Sequence, residues 1–250
     1  MISGIQISSL KPLLLTPEQV GSCFGKVKDL GCHVVQLQWI HPSVPIDVIG
    51  KALEENRIRS VSVQDFYETV LDDFDYYVNL NARTGGTWLC VSRIPERLKS
   101  REGLDVYIAE LYAMQEKLDA YGQKLCFHPV TADFTAVEHM NAVEYLLDAM
   151  PDLAVCLDLY HLNRNCPDMP AFIRRYAGRI CMVHFKDQRN GALVPAGQGD
   201  VNWEGVVKAC LEAKIPYGFV EQETWDRDPY ECMKEAMDWL EEEIRKEALL

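Results

Sequence analysis

The 250-residue chain is predicted to fold as one (β/α)8 barrel spanning residues 1–250. Two observations carry that prediction. Eight short apolar runs alternate with about eight amphipathic segments, and strict alternation of this kind implies a parallel sheet. No linker or low-complexity stretch divides them, and barrels of this class often reach this length as one domain. An open doubly wound sheet would place a Gly-rich turn after its first strand. Lys11-Pro12-Leu13 stands there instead, and neither Gly-x-Gly-x-x-Gly nor Gly-x-x-x-x-Gly-Lys occurs.

In order, the predicted strands cover Gly4–Leu10, His33–Trp39, Arg59–Gln64, Thr87–Ser92, Lys124–His128, Leu153–Asp158, the run from Arg179 that ends in His184, Lys186 and Asp187, and Tyr217–Gln222. The first helix opens at Thr16-Pro17, an N-cap followed by Pro at the first helical position, and Gly31 stops it. Helices are then expected over Pro45–Asn56, Asp65–Asn81, Arg101–Tyr121, Val137–Met150, Pro170–Tyr176, Trp203–Ala213 and Asp228 to about Ala248.

A net charge of −13 without a Lys/Arg cluster argues against nucleic acid or an anionic membrane as partner. The apolar runs fall well short of a bilayer span, and strand-like sequence begins almost at Met1, without a leader pattern. Nine cysteines, an odd number with no Cys-x-x-Cys, suit a reducing cytoplasm better than a disulfide framework.

In barrels of this class chemistry sits at the C-terminal ends of the strands. Those positions hold His128, Asp158 with His161, His184 with Lys186, and Glu221 with Glu223. Strand alternation turns His128, Asp158, His184 and Glu221 to the same side as their apolar neighbours. Four consecutive strands thus aim a carboxylate or an imidazole at one mouth. Mixed Asp, His and Glu donors suit a divalent ion such as Mn, Zn, Co or Mg. Such an ion polarises a carbonyl, and a neighbouring base then removes the α proton. Gln6, Gln36 and Gln64 are candidates to line a polyol pocket, and Trp88 to supply an aromatic wall.

Val183-His184-Phe185-Lys186-Asp187 followed by Val194-Pro195-Ala196-Gly197-Gln198-Gly199-Asp200-Val201-Asn202-Trp203 resembles the "HvKD … lGeGxvdW" signature of the sugar phosphate isomerase/epimerase family, within the xylose-isomerase-like TIM-barrel superfamily. Leu157-Asp158-Leu159-Tyr160-His161 is similar to its D-x-x-H element, and Phe219-Val220-Glu221-Gln222 to its last-strand "vEq". The resemblance implies one divalent metal held by Asp158, His184 and Glu221. It implies substrate contacts from His161 and Lys186, acid/base work by Glu221, and a backbone approach to substrate at Gly197 and Gly199. It departs at strand five, where the epimerases carry a Glu ligand and this chain has His128, with Asp133 as the alternative fourth ligand.

The activity so implied is isomerisation or epimerisation of a small sugar, keto-sugar or sugar phosphate. The same metal-stabilised enolate would serve a dehydratase or lyase acting on a keto-sugar or keto-inositol. A non-catalytic sugar-binding barrel is the third expectation, and the oligomeric state, including a homo-oligomer, stays open. One branch of the superfamily cleaves abasic DNA, which the acidic charge disfavours.

Overall fold

The computed structural model describes residues 1–137 and 140–248. Eight parallel strands close into a barrel: β1 (Ile2–Gln6), β2 (Val34–Leu37), β3 (Arg59–Phe66), β4 (Trp88–Ser92), β5 (Lys124–His128), β6 (Ala154–Asp158), β7 (Ile180–Phe185) and β8 (Tyr217–Val220). Each pairs with its sequence neighbours, and β1 closes the ring on β8. The predicted fold is the observed one.

The helices form the outer layer. They are α1 (Pro17–Asp29), α2 (Ile46–Asn56), α3 (Tyr67–Asp72), α4 (Phe74–Arg83), α5 (Arg101–Asp119), α6 (Ala142–Ala149), α7 (Leu159–Asn163), α8 (Met169–Arg175), α9 (Val206–Glu212) and α10 (Pro229–Ala248). Thr16 caps α1 by accepting from the Gln19 amide, with Pro17 at the first position. Ser100 caps α5 in the same way through Gly103.

The apolar core has two parts. A large layer lies between strands and helices. A small cluster of Val34, Val61, Cys90, Cys126, Cys156, Cys181, Met182 and Phe219 fills the barrel interior. All nine cysteines are free thiols. Among the described residues no helix is long and apolar enough to cross a membrane.

Several boundaries differ from the sequence reading. β1 ends at Gln6 rather than Leu10, because a 3-10 turn over Ile7–Leu13 begins where the Gln6 side chain accepts the Ser8 amide. β2 stops at Leu37, and Trp39 adopts a left-handed backbone, φ 56°, that ends pairing there. The single helix expected over 65–81 is two, broken at Asp73, whose φ of −139° and ψ of 54° are not helical. α6 begins at Ala142; residues 138 and 139 of the predicted 137–150 helix lie outside the described residues. After β7 the chain makes a short antiparallel hairpin, Asp187–Arg189 against Ala192–Val194, which carries the connection out of the mouth before α9.

Candidate active site

Register places the ends of the second-half strands at one level. Ser92 is level with His128, and Asp158 with His184; Phe219 is level with His184, so Glu221 emerges just above. His128, Asp158, His184 and Glu221 are all buried; the first two and Glu221 line the floor of a cavity of about 480 Å³, and His184 lies against His128 and Glu221 beneath it. His184 Nδ1 lies 3.0 Å from Glu221 Oε2 and 3.2 Å from His128 Nε2. Asp158 Oδ2 lies 3.8 Å from His128 Nε2 and 3.6 Å from His161 Nε2.

Each of these four side chains uses one polar atom for support and turns another inward. Asp158 Oδ1 accepts from the amides of Tyr160 and His161 at 2.8 and 3.1 Å, as the cap of α7. Ser8 Oγ donates to Glu221 Oε1 at 3.0 Å. Ser92 Oγ holds His128 Nδ1 at 3.0 Å. His184 Nε2 sits 2.5 Å from Gln36 Oε1. A carboxamide oxygen only accepts, so Nε2 carries a proton, and Nδ1, the nitrogen facing Glu221 and His128, is the one that offers a lone pair once the ring is neutral.

The inward carboxylate oxygens, Asp158 Oδ2 and Glu221 Oε2, are buried without a hydrogen bond, the contact of the latter with His184 being close but misaligned. Uncompensated buried anions cost several kcal/mol, on the order of 3–5, so two of them converging beside two imidazole rings mark a place for a cation. Oxygen and imidazole donors together fit a borderline divalent ion. Asp158, His184 and Glu221 offer donor atoms mutually within 4.8 Å, and so do His128, Cys156 and His184.

Charge in the cluster is consistent with this. Burial works against a proton on His184, but the neighbouring Cys156 sulfur and Glu221 carboxylate outweigh it and raise its pKa well above the ordinary imidazole value. His128 is pushed down to about 3, by burial first and then by the charge on His184. Burial would raise Glu221, yet Lys186 and His184 hold it well below the usual carboxylate range. Lys186 is raised despite burial, because Glu221, Asp158 and Glu223 surround it. Its Nζ is ion-paired with Glu223 Oε1. Glu223 is pushed up to about 7, by burial and then by Glu221.

Lys186, His161, Gln64 and Glu223 line the cavity above the cluster. Thr131 Oγ1 lies 2.7 Å from His161 Nδ1 and orients that ring. Four of the expected site residues stand elsewhere. Gln6 is fully buried beneath the mouth and donates through Nε2 to Gln36 Oε1 at 3.0 Å. Trp88 begins β4, at the opposite end of the barrel, where it packs edge-on against Tyr217. The predicted strand, Thr87–Ser92, is the observed one to within a residue, and Trp88 falls at the bottom because it begins the strand that runs on to Ser92. The Gly197 and Gly199 amides donate to Asp187 Oδ2 at 3.1 and 3.0 Å. A Cβ on Gly199 would lie 2.0 Å from Asp187 Oδ1, and one on Gly197 would strike Trp239. Both glycines therefore serve a loop wrapped on Asp187, which also accepts from the Gln188 and Val201 amides and Trp203 Nε1.

Asp133, the alternative fourth ligand, is also committed elsewhere. Its carboxylate accepts from the Val130 and Ile94 amides and faces Lys99 Nζ at 3.6 Å. His128 is the strand-five residue that reaches the cluster. Sequence reasoning missed the supporting groups Ser8, Ser92 and Cys156, and it named Gln36 and Glu223 without their roles as the acceptor from His184 and the partner of Lys186. Only the inward parity of Gln36 and the strand-end position of Glu223 hinted at them.

Residues 24–243 match the xylose isomerase-like TIM barrel family. Among solved structures, a sugar phosphate isomerase/epimerase from Parabacteroides distasonis superposes with a TM-score of 0.79 at 19% identity, covering 94% of this chain and 96% of that one. A 3-keto-D-glucoside 4-epimerase from E. coli superposes at 0.72 and 15% identity, covering 97% and 99%. A probable 3-DHS dehydratase from Bacillus anthracis gives 0.73 at 12% identity, covering 96% and 99%. No curated protein matches the sequence.

Proposed function

The chain belongs to the xylose isomerase-like TIM barrel family, and from that premise we propose that it is a divalent-metal-dependent isomerase or epimerase of a small sugar, keto-sugar or sugar phosphate. The observation that carries this reading is the pair of unsatisfied carboxylate oxygens, Asp158 Oδ2 and Glu221 Oε2, turned toward His184 Nδ1 and His128 Nε2.

These four residues would hold the ion. When bound, it supplies Lewis acidity toward a carbonyl and so acidifies the adjacent C–H. The protein's own groups do the rest. Lys186, cationic in its buried carboxylate ring, donates to a substrate oxygen from the cavity wall. His161, oriented by Thr131, does the same from the β6 side. The α proton passes to a carboxylate on the β8 side. Glu221 is the expected base; Glu223 on the same wall has one oxygen on Lys186 and the other unpartnered.

The lyase alternative draws on the strand-five departure. His128 replaces a second carboxylate there, and a single base suffices for β-elimination after the same proton abstraction.

The test is proton exchange. The protein loaded with Mn²⁺ is incubated in deuterated water with a panel of ketoses and 3-keto-glucosides. One tightly bound Mn²⁺ and deuterium at the α-carbon are expected, with the product separating isomerase from lyase. A protein that binds Mn²⁺ and sugar but exchanges no deuterium is a binding barrel, and the enzymatic reading fails.

A further inference from the structure

The catalytic cavity has a neighbour of opposite character. A second cavity, of about 310 Å³, opens beside it, and Gln38, Trp39 and Gln64 line both. Its walls are Leu15, Ile40, Val63, Tyr76 and Leu80. Lys11 and Thr69, both exposed, also line it, and the buried polar groups of its inner wall are already paired. Tyr77 Oη donates to Asp65 Oδ2 at 2.8 Å, the Phe66 amide donates to Asp65 Oδ1 at 2.8 Å, and Gln64 Nε2 donates to Gln38 Oε1 at 3.3 Å. A ring of hydroxyls would find few free partners there and would lose its hydration. The first cavity differs, with unpartnered oxygens on Asp158, Glu221 and Glu223.

Trp39 forms the ridge between the two. Its left-handed backbone, φ 56°, is a conformation bulky residues rarely keep without a task. Lys11 Nζ lies 4.7 Å from its ring centroid, and Phe66 packs at 5.9 Å, so the indole is fixed in place. Leu15, 44% exposed, stands open at the far lip.

We propose that the substrate is a sugar carrying a flat apolar substituent, such as an aryl aglycone, with the sugar over the proposed metal cluster and the substituent across Trp39 in the second cavity. This deepens the carbohydrate reading above and rests on it for the sugar half only. Trp39 is then a specificity-determining residue, because it sets the angle at which sugar and substituent diverge.

The test compares phenyl β-D-glucopyranoside with methyl β-D-glucopyranoside by calorimetry on the Mn²⁺-loaded full chain. The phenyl glycoside is expected to bind about tenfold or more tightly, the yield of burying one ring. Thr69→Trp, from an exposed position of α3 on the second cavity, should fill it and abolish the advantage while leaving the methyl glycoside's affinity within about twofold. Leu15→Trp on the opposite lip gives an independent version should Thr69→Trp fail to fold. Equal affinities in the unaltered protein, no binding of either glycoside, or an advantage that survives both variants would overturn the proposal. Phenol alone, followed by saturation-transfer NMR without metal, separates the two readings. Phenol lost in Thr69→Trp supports the apolar cavity even if Mn²⁺ does not bind, whereas Mn²⁺ binding without phenol contact leaves the metal reading standing and removes this one.

Discussion

Strands β1 to β4 bring amides and hydroxyls to the upper barrel, Gln36, Gln64 and Ser92 with Gln6 beneath them, whereas β5 to β8 bring His128, Asp158, His184 and Glu221. The neutral half is not idle scaffolding. Three of the four ionisable groups lean on it: Glu221 on Ser8, His128 on Ser92, and His184 on Gln36. Asp158 alone is held from its own side, by the first turn of α7. Each contact occupies one atom of the side chain and so decides which other atom points inward. A metal-binding imidazole is commonly oriented by an acceptor on its second nitrogen, and the Gln6–Gln36–Gln64 chain supplies that acceptor without adding charge.

The strongest way to break this division is to remove charge from the second half. Asp158→Asn keeps the carbonyl oxygen that accepts the Tyr160 and His161 amides, so the fold should persist. It replaces an inward anionic oxygen with a neutral group. Mn²⁺ affinity, measured by electron paramagnetic resonance, is expected to fall by about 10³-fold or more. A loss below about tenfold would mean that the four groups do not share an ion.

A smaller effect is expected from the neutral half. Gln36→Leu retains approximate volume but removes the acceptor from His184 Nε2. The imidazole is then free to rotate or to change tautomer, and metal affinity should fall about 10- to 100-fold. Gln36→Glu restores an acceptor and should recover much of the loss. If Gln36→Leu matches Asp158→Asn in severity, the halves are not ranked as ligand and support.

These two halves were unequally legible in the sequence. In β5 to β8 a polar residue closes an apolar run, and strand parity alone places His128, Asp158, His184 and Glu221 on one side. The barrel followed from alternation that needs no side-chain detail. The first half lacks such contrast. Gln6 and Gln64 have the same parity as a pocket wall, yet Gln6 is spent on Gln36, a pairing across strands that spacing does not reveal. Trp88 is expected at the site although the predicted strand Thr87–Ser92 already sets it at the starting end, and the register of β4 against β3 and β5 keeps it there. Gly197 and Gly199 suggest room for a ligand, whereas Trp239 takes that room at Gly197 and Asp187 at Gly199, and both amides are spent on the fully buried Asp187 carboxylate.

The smallest effect, and the one that isolates the charged half, is the dependence of metal binding on pH. In the metal-free protein His184 has its pKa raised, so it holds a proton near neutrality where the ion would bind. His128, pushed down to about 3, does not. Above pH 7, where Glu223 has lost its proton, binding should therefore displace a proton from His184 and none from His128, and affinity should rise about tenfold per pH unit until the raised pKa of His184 is passed, then level off. The sign for stability runs the other way. A folded pKa above the unfolded imidazole value of about 6.5 stabilises the metal-free fold fully below that pH, and the contribution is lost as pH rises through the folded pKa. The metal-free protein should thus lose melting temperature on the alkaline side while Mn²⁺ affinity gains. Calorimetry of Mn²⁺ binding in buffers of different ionisation enthalpy counts the protons directly. Measured above pH 7, where Glu223 is ionised, one proton released in both the unaltered protein and Gln36→Glu would locate the titration in His184; two would require His128 to be protonated as well, and none would mean that His184 already stands neutral.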